Sequence, residues 1–464
     1  MPTRRQFLYS SSTALAGGLL AGCAAPHGSS RSYLTDLVPT GETPSADAFW
    51  TDVMFQAVRD QAIGPPLAAR IYAIGHLAGF LSLTAGDRKY HQPFPELGSA
   101  PSGISKRAAY AAAVAQAAAE PLQTPLGVDL ARFLNRLDEP GVEVEAGAAW
   151  GRDVGNFIQR KRAVDGGHAE KVRFYFDPEY TPRKTVDSWS HTGPYYRTEI
   201  GPRFETYERG LFPNLGNMIP FAIQSRTQYA AAEFLDVRSK EFADQYAEVR
   251  ELGGTNSTSR TDDEFEIAFF WEDGPRGGTV PAALIHIALR LFEQEKGQHS
   301  LTERAQLLAQ MSCAMADGGL SAWHSKYYYD VFRPETAIRH TAEKLGNPDP
   351  RVKRERGWTS LIPTPPFPAY VSGHSTFAGA GAEVLKQWFG TDHKTFSVRA
   401  LDTVNWPKQI SGSTRHYTNF TTVADENGLS RIYGGVHWQH DNIEGLKMGR
   451  AIGRHVHHNF LNRV

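Results

Sequence analysis

Apolar residues recur at helical spacing along most of the chain, whereas the apolar and polar alternation that predicts strands is sparse. Residues 49–83 predict two helices separated at residues 64–66, Gly-Pro-Pro, because proline cannot continue a helix. The alanine-rich residues 106–122 predict a further helix, since alanine has the highest helix propensity. These patterns predict an all-α protein built of packed helical bundles.

Two helix starts are marked in the last third of the chain. Ser300 and Glu303 have the spacing of a capping box, and the helix that they open is predicted to run to about residue 330. Ser372 is predicted to cap a helix over residues 373–388. Such a cap aims free backbone N–H groups and the positive end of the helix dipole outward.

Three glycines near the C-terminus, Gly445, Gly449 and Gly453, recur every four residues and are predicted to lie on one helical face. Small residues on one face let a neighbouring helix approach closely. We interpret this spacing as core packing, because no segment after the N-terminus is judged long and apolar enough to span a membrane.

A long middle stretch, residues 139–212, is rich in glycine, proline and aromatic residues and is predicted to be irregular. Long irregular segments commonly cover functional sites, which predicts a lid. The chain is therefore divided into an N-terminal helical part that includes this lid, residues 44–300, and a C-terminal helical part that carries the candidate chemistry, residues 301–464.

Composition narrows the class of protein. The chain has 464 residues, so it exceeds one ordinary domain, and its net charge of -1 favours neither a nucleic acid nor an anionic membrane surface as a partner. Two cysteines, Cys23 and Cys313, predict no disulfide framework.

The N-terminal residues 1–23 have the pattern of an export signal. Thr-Arg-Arg-Gln-Phe-Leu at residues 3–8 precedes a mildly apolar run and Leu-Ala-Gly-Cys at residues 20–23, which resembles a twin-arginine signal ending in a lipoprotein cleavage site. The alternatives are a signal cleaved without lipidation and a disordered arm. With residues 24–43 as a flexible tether, the pattern predicts a periplasmic or cell-envelope protein that contacts membrane only through a lipid anchor at Cys23.

Three short stretches of the last third carry residues suited to holding a tetrahedral oxyanion: KYYYDVFRP (326–334), VSGHS (371–375) and SRIYGGVHWQHD (430–441). They supply three cations, a helix-opening pair, two histidines and a carboxylate: Lys326, Arg333, Arg431, Ser372, Gly373, His374, His437 and Asp441. Arginine offers a planar fork of donors and lysine a compact charge. Pro334 is predicted to end the preceding helix and to hold Arg333 extended.

Two of these residues are expected to act as a pair. If His437 and Asp441 share one helical face at a spacing of four residues, the carboxylate accepts from one imidazole nitrogen. The other nitrogen is then left for an electrophilic centre.

The order and spacing of the three stretches resemble the signature of the superfamily that unites vanadium-dependent haloperoxidases, type 2 phosphatidic acid phosphatases and bacterial acid phosphatases. One departure is Val371, where the signature usually has proline. The stretches before residue 300 resemble the larger bacterial haloperoxidase-like proteins.

The resemblance implies a role for each candidate residue. His437 would be the vanadium ligand of a haloperoxidase or the phosphorylated nucleophile of a phosphatase. His374 would be the general acid and base, and Asp441 would orient His437. The remaining residues would bind the equatorial oxygens of vanadate or phosphate: Lys326, Arg333, Ser372, Gly373 and Arg431.

Three activities remain open at this point. A vanadium haloperoxidase would use hydrogen peroxide to oxidise halide to hypohalous acid for an organic acceptor, with Lys326 polarising the activated peroxide. A soluble acid phosphatase would hydrolyse a phosphomonoester at the same site, and a non-catalytic lipoprotein would only capture phosphate. The long N-terminal half favours the haloperoxidase, and assembly into a homo-oligomer stays open.

Overall fold

The computed structural model describes residues 45–167, 180–190, 210–274, 277–400 and 412–464. The predicted export signal and tether lie outside the described residues. One described helix, Pro65–Thr84, is long and apolar enough to cross a membrane, so the prediction that no segment after the N-terminus has this length and apolarity is wrong. Because 94% of its apolar window is buried within the protein, its environment is that of a core helix.

The described residues form thirteen helices and one two-stranded antiparallel sheet. In chain order the helices are α1 (Ala46–Asp60), α2 (Pro65–Thr84), α3 (Lys106–Leu122), α4 (Gly127–Leu134), α5 (Val144–Arg162), α6 (Lys240–Leu252), α7 (Asp262–Phe270), α8 (Val280–Gln294), α9 (Leu301–Tyr329), α10 (Pro334–Thr336), α11 (Gly373–Phe389), α12 (Phe420–Tyr433) and α13 (Gln439–Asn459). The strands are β1 (His393–Arg399) and β2 (Thr414–Asn419).

The helical prediction is confirmed where the local signals are strong. The proline-separated pair forms α1 and α2, and the alanine-rich helix α3 has the predicted bounds. Ser300 and Glu303 make both bonds of a capping box at the start of α9. Ser372 caps α11 by accepting from the backbone N–H of Ser375.

Two expectations are corrected by the structure. Part of the segment predicted to be irregular forms α5, a helix of nineteen residues whose buried face carries Gly147, Gly151 and Gly155. These glycines and the scattered polar residues conceal the helical periodicity. The second correction is the β1 and β2 hairpin, which was not predicted because its strands are short and only partly buried.

The long helices pack as two similar groups around one continuous core. In the N-terminal group α3 packs against α2 and α5, and in the C-terminal group α11 packs against α9 and α13. Buried side chains from both groups, including Trp50 and Trp438, belong to the same apolar cluster. The three stretches of candidate chemistry meet at the N-terminal end of α11.

Candidate anion-binding site

Lys326 lies in the last turn of α9 and is fully buried. Its Nζ donates to the backbone carbonyls of Pro368 at 3.1 Å, Ala369 at 2.9 Å and Val371 at 2.6 Å. Burial, together with the nearby Arg333, holds the pKa of Lys326 well below its ordinary value. The side chain therefore fixes the loop that precedes Ser372. It could bind an anion only if one of these three hydrogen bonds to a carbonyl were broken.

Arg333 has the extended backbone that the sequence predicted, with φ -82° and ψ 154°. The helix before it ends for a different reason, because α9 stops at Tyr329 and Asp330 adopts a left-handed conformation with φ 50°. The chain has therefore left the helix before it reaches Pro334.

The guanidinium of Arg333 is buried and directed at the other motifs. Nη1 donates to the carbonyl of Val436 at 2.7 Å and to Nε2 of His437 at 2.9 Å, while Nε donates to the carbonyl of Phe367 at 2.9 Å. Its Nη2 has no partner in the described structure. Burial lowers the pKa of Arg333 to about 9. Because this value is still above 7, the group stays cationic at neutral pH.

Ser372, Gly373 and His374 form the N-terminal end of α11. The backbone N–H of Ser372 donates to the carbonyl of Asp441 at 3.0 Å, which joins this end of α11 to the start of α13. The first N–H groups of a helix lack intrahelical acceptors, so the amides of Gly373 and His374 are available to an anion. The predicted helix start thus lies within the site.

His374 is partly exposed to the cavity and contacts a segment that the motifs did not include. Its Nε2 lies 3.1 Å from the carbonyl oxygen of Glu272, so this nitrogen carries the proton and donates. Burial and the nearby Arg431 hold the pKa of His374 well below its ordinary value. The imidazole is therefore neutral at pH 7.

His437 and Asp441 are in contact, although not on one helical face. His437 precedes α13, which begins at Gln439 with Trp438 as its cap, so the helical prediction for this pair is wrong. The contact forms because Asp441 lies in the first turn and its Oδ2 turns back. That oxygen accepts from Nδ1 of His437 at 2.8 Å and from the backbone N–H of Trp438 at 3.0 Å.

The proton positions of this pair follow from its surroundings. Burial raises the pKa of Asp441 to about 7, and burial together with Arg333 holds the pKa of His437 well below its ordinary value. His437 is therefore neutral, with its proton on Nδ1 and a lone pair on Nε2. In the described structure the Nε2 lone pair accepts from Arg333.

Arg431 extends from α12 into the same cavity. Its Nε and Nη1 are buried without hydrogen-bond partners, which is costly for a charged group. Burial lowers the pKa of Arg431 to about 10, and the nearby Glu272 and Asp273 oppose that shift. A bound oxyanion would supply the acceptors that these N–H groups lack.

A cavity of about 80 Å³ is lined by Gly373, His374, Arg431 and His437, whereas Lys326, Arg333, Ser372 and Asp441 lie outside its lining. His374, Arg431 and His437 form part of a polar wall, and an apolar wall faces them: Pro65, Pro66, Leu211, Phe212, Trp323, Pro363, Pro365, Pro366, Phe367 and Phe377. The proline-rich loop that precedes Ser372 thus forms part of the apolar wall. Glu272 and Asp273 were missed because a single acidic pair in a loop carries no recognisable spacing.

The donor set fits vanadate as well as phosphate. A neutral imidazole with a lone pair suits one bond to vanadium, and the unpartnered N–H groups of Arg333 and Arg431 suit its oxygens. Among the described residues, no group of three or more His, Cys, Asp or Glu could hold a metal ion. The residue whose chemistry suits the metal of a bound vanadate is His437, through Nε2.

Comparisons with known proteins match the part of the chain that contains the candidate site. The family model described as "VCPO second helical-bundle domain" matches residues 306–464, which include all the candidate residues. Vanadium chloroperoxidase from Curvularia inaequalis is 25% identical over 475 residues, covering 82% of this chain and 75% of that protein.

Two solved structures have the same fold. The first bacterial vanadium-dependent iodoperoxidase superposes with a TM-score of 0.73 at 24% identity, covering 91% of this chain and 99% of its own. A holo-type bacterial vanadium-dependent chloroperoxidase superposes with a TM-score of 0.65 at 17% identity, covering 92% and 97%. The predicted all-α helical-bundle fold is confirmed by these matches.

Proposed function

We propose that this chain, a vanadium haloperoxidase-like protein, oxidises halide with hydrogen peroxide at a vanadate bound to His437. The single observation that carries the proposal is the state of His437. It is neutral, its Nδ1 donates to Asp441, and its ring lines the cavity beside buried arginine N–H groups. A bound vanadate would replace Arg333 as the partner of its Nε2 lone pair.

In this proposal each residue has a stated task. Arg333, Arg431 and the amides of Gly373 and His374 bind the oxygens of vanadate, while Asp441 orients His437. When bound, vanadate supplies Lewis acidity that activates peroxide towards halide without a change in metal oxidation state. The overall reaction consumes hydrogen peroxide, halide and one proton and yields hypohalous acid and water.

His374 is suited to move the proton that this reaction requires. Its neutral imidazole can accept a proton from hydrogen peroxide through Nδ1 and return it to the departing oxygen. Lys326 would have to release a loop carbonyl to polarise the activated peroxide, because its three donors are engaged in the described structure. Proton transfer by His374 and polarisation of the peroxide by Lys326 both belong to the proposal.

The cavity favours this reaction over phosphomonoester hydrolysis. A volume of about 80 Å³ admits one tetrahedral oxyanion with a small co-substrate such as peroxide or halide. The organic group of a phosphomonoester would need more room than this volume offers. Phosphate itself fits the donors and is expected to compete with vanadate.

The test uses the chain without residues 1–23, freed of phosphate and assayed for iodide, bromide and chloride oxidation with hydrogen peroxide. We expect activity that requires added orthovanadate and is suppressed by phosphate. Hydrolysis of p-nitrophenyl phosphate without any halide oxidation would overturn the proposal. His437→Ala is the matched negative control, because it removes the nitrogen that is proposed to bind vanadium.

We also propose that the protein is exported and anchored by lipid at Cys23. The proposal is supported by the arginine pair and the Leu-Ala-Gly-Cys sequence. Cells expressing wild-type protein and Cys23→Ser would be fractionated, with membrane association expected only for the wild type. Equal distribution of the two proteins between fractions would contradict the anchor.

A further inference from the structure

The two helix groups of the fold share one arrangement of helix caps and close helix contacts, which we call the framework. In each group a serine caps the central helix, Ser105 for α3 and Ser372 for α11, and each serine side chain accepts from the backbone N–H three residues later. In each group the backbone N–H of that serine donates to the carbonyl of an acidic residue. The partner is Glu143 at 3.1 Å in the first group and Asp441 at 3.0 Å in the second.

The match continues along the following helix. Four residues after each acidic residue lies a glycine, Gly147 or Gly445, followed by glycines at four-residue intervals. A Cβ at Gly147 would lie 2.5 Å from the carbonyl oxygen of Ser105, and one at Gly445 would lie 2.7 Å from that of Ser372. The predicted glycine face is thus confirmed as a close helix contact, and it occurs twice in the chain.

The next turn repeats the same contact. A Cβ at Gly151 would lie 2.2 Å from the carbonyl oxygen of Ala109, and one at Gly449 would lie 2.2 Å from that of Thr376. Contacts this short are not found for real Cβ atoms, so any side chain would push the two helices apart. The two frameworks are therefore matched in packing.

The chemistry at equivalent positions differs between the frameworks. Counting from the capping serine and the acidic residue, Arg107 occupies the place of His374 and Glu139 the place of His437. Ser105 donates to Glu139, and Arg107 lies 3.6 Å from the same carboxylate. A carboxylate in that place repels an oxyanion, so the first framework holds an ion pair where the second has the candidate site.

We propose that Gly445 is a positioning residue for the anion site. Its missing side chain lets α13 lie against the start of α11, which sets His437 at its distance from the donors of Gly373 and His374. The buried and unpartnered N–H groups of Arg431 mark the place where the ligand sits between these elements. Gly147 makes the same contact in a framework without that site, so it serves packing alone.

The proposal rests on the anion site of the proposed function but not on the halide reaction. The experiment compares Gly445→Ala with Gly147→Ala in the full chain and measures unfolding by urea and orthovanadate binding by equilibrium dialysis. Both variants are expected to lose stability, because both meet a carbonyl oxygen at similar distance. Only Gly445→Ala is expected to raise the vanadate dissociation constant, by about tenfold or more, as when the support of a metal ligand is disturbed.

Gly147→Ala is expected to change vanadate binding by less than about threefold, since distant sites act independently. Unchanged binding by Gly445→Ala, or an equal loss by both variants, would overturn the proposal. If Gly445→Ala fails to fold, Ser375→Ala replaces it, because this change removes the hydrogen bond to Asn442 that joins α11 to α13 beside Gly445. An unchanged vanadate dissociation constant would then overturn the proposal.

Gly453→Ala is a second control, on the same helix as Gly445. A Cβ at Gly453 would lie 2.5 Å from the carbonyl oxygen of Ala380, two turns farther from the site. We expect Gly453→Ala to raise the vanadate dissociation constant by less than about threefold.

The outcomes for the wild type separate this proposal from the proposed function. Vanadate binding without halide oxidation would refute the haloperoxidase activity and leave the positioning role to be decided by the variants. A wild type that binds neither orthovanadate nor inorganic phosphate would overturn both. Gly453→Ala is also compared with His437→Ala. If the two variants raise the vanadate dissociation constant equally, general loosening of the helices explains the effect and the positioning role is wrong.

Discussion

Replacing Asp441 with asparagine tests how the vanadium ligand is held. The carboxylate is fully buried and its Oδ2 accepts from Nδ1 of His437 at 2.8 Å and from the N–H of Trp438 at 3.0 Å. Asparagine keeps the shape and one acceptor oxygen but loses the charge that strengthens both bonds. Its amide can also turn and present a donor to His437, which would favour the wrong tautomer.

The expected magnitude follows from the place of this carboxylate behind the ligand. Loss of a group that orients a metal-binding histidine costs about 10- to 100-fold in affinity, or about 1.4 to 2.8 kcal/mol. We expect Asp441→Asn to weaken orthovanadate binding by this amount. Stability should fall by about 1 to 3 kcal/mol, the range for a buried donor left without its partner.

The assay is equilibrium dialysis against orthovanadate at pH 8, above the raised pKa of Asp441. Glu143→Gln is the matched control, because Glu143 occupies the equivalent place in the first framework and offers only its backbone carbonyl to Ser105. Vanadate affinity within twofold of the wild type for Asp441→Asn would refute the view that this carboxylate orients His437, whatever the effect on stability.

Three further predictions follow from the described contacts. Arg431→Lys is expected to weaken orthovanadate binding by about tenfold, because lysine lacks the fork of donors. Arg450→Lys, at a half-buried arginine paired with Asp425 outside the site, should leave vanadate binding unchanged. Ser300→Ala removes the cap of α9 and should lower the free energy of unfolding in urea by about 1 kcal/mol without affecting vanadate binding; unchanged stability would show that the cap is replaced by water. Burial lowers the pKa of His76 from 6.5 to about 3, so the unfolded chain takes up a proton that the folded chain does not. Stability is therefore lost as the pH falls through this window, by about 1.4 kcal/mol per pH unit from this group. His76→Gln can keep the contact with the Tyr110 hydroxyl and should lose less stability than the wild type between pH 7 and pH 5; equal losses would contradict the assignment.

Features that depend only on neighbours in the chain could be predicted from the sequence. Alanine content, proline breaks and serine caps are local signals, so α1, α2, α3, α9 and α11 could be predicted, the last two with their serine caps. The three motifs could also be found, because their residue types and spacing are specific. The periodic glycines near the C-terminus predicted a close helix contact without indicating which helix would approach.

How these parts meet could be seen only from the tertiary structure. It placed His437 before α13, where Asp441 reaches it by turning back across the first turn, and it engaged Lys326 with loop carbonyls. It brought Glu272 and Asp273 to the cavity beside Arg431 from a segment more than a hundred residues away in sequence. It also gave the N-terminal half the same helix framework as the site. These outcomes depend on packing between distant segments, where burial sets proton positions and steric fit sets distances, and no local pattern encodes either.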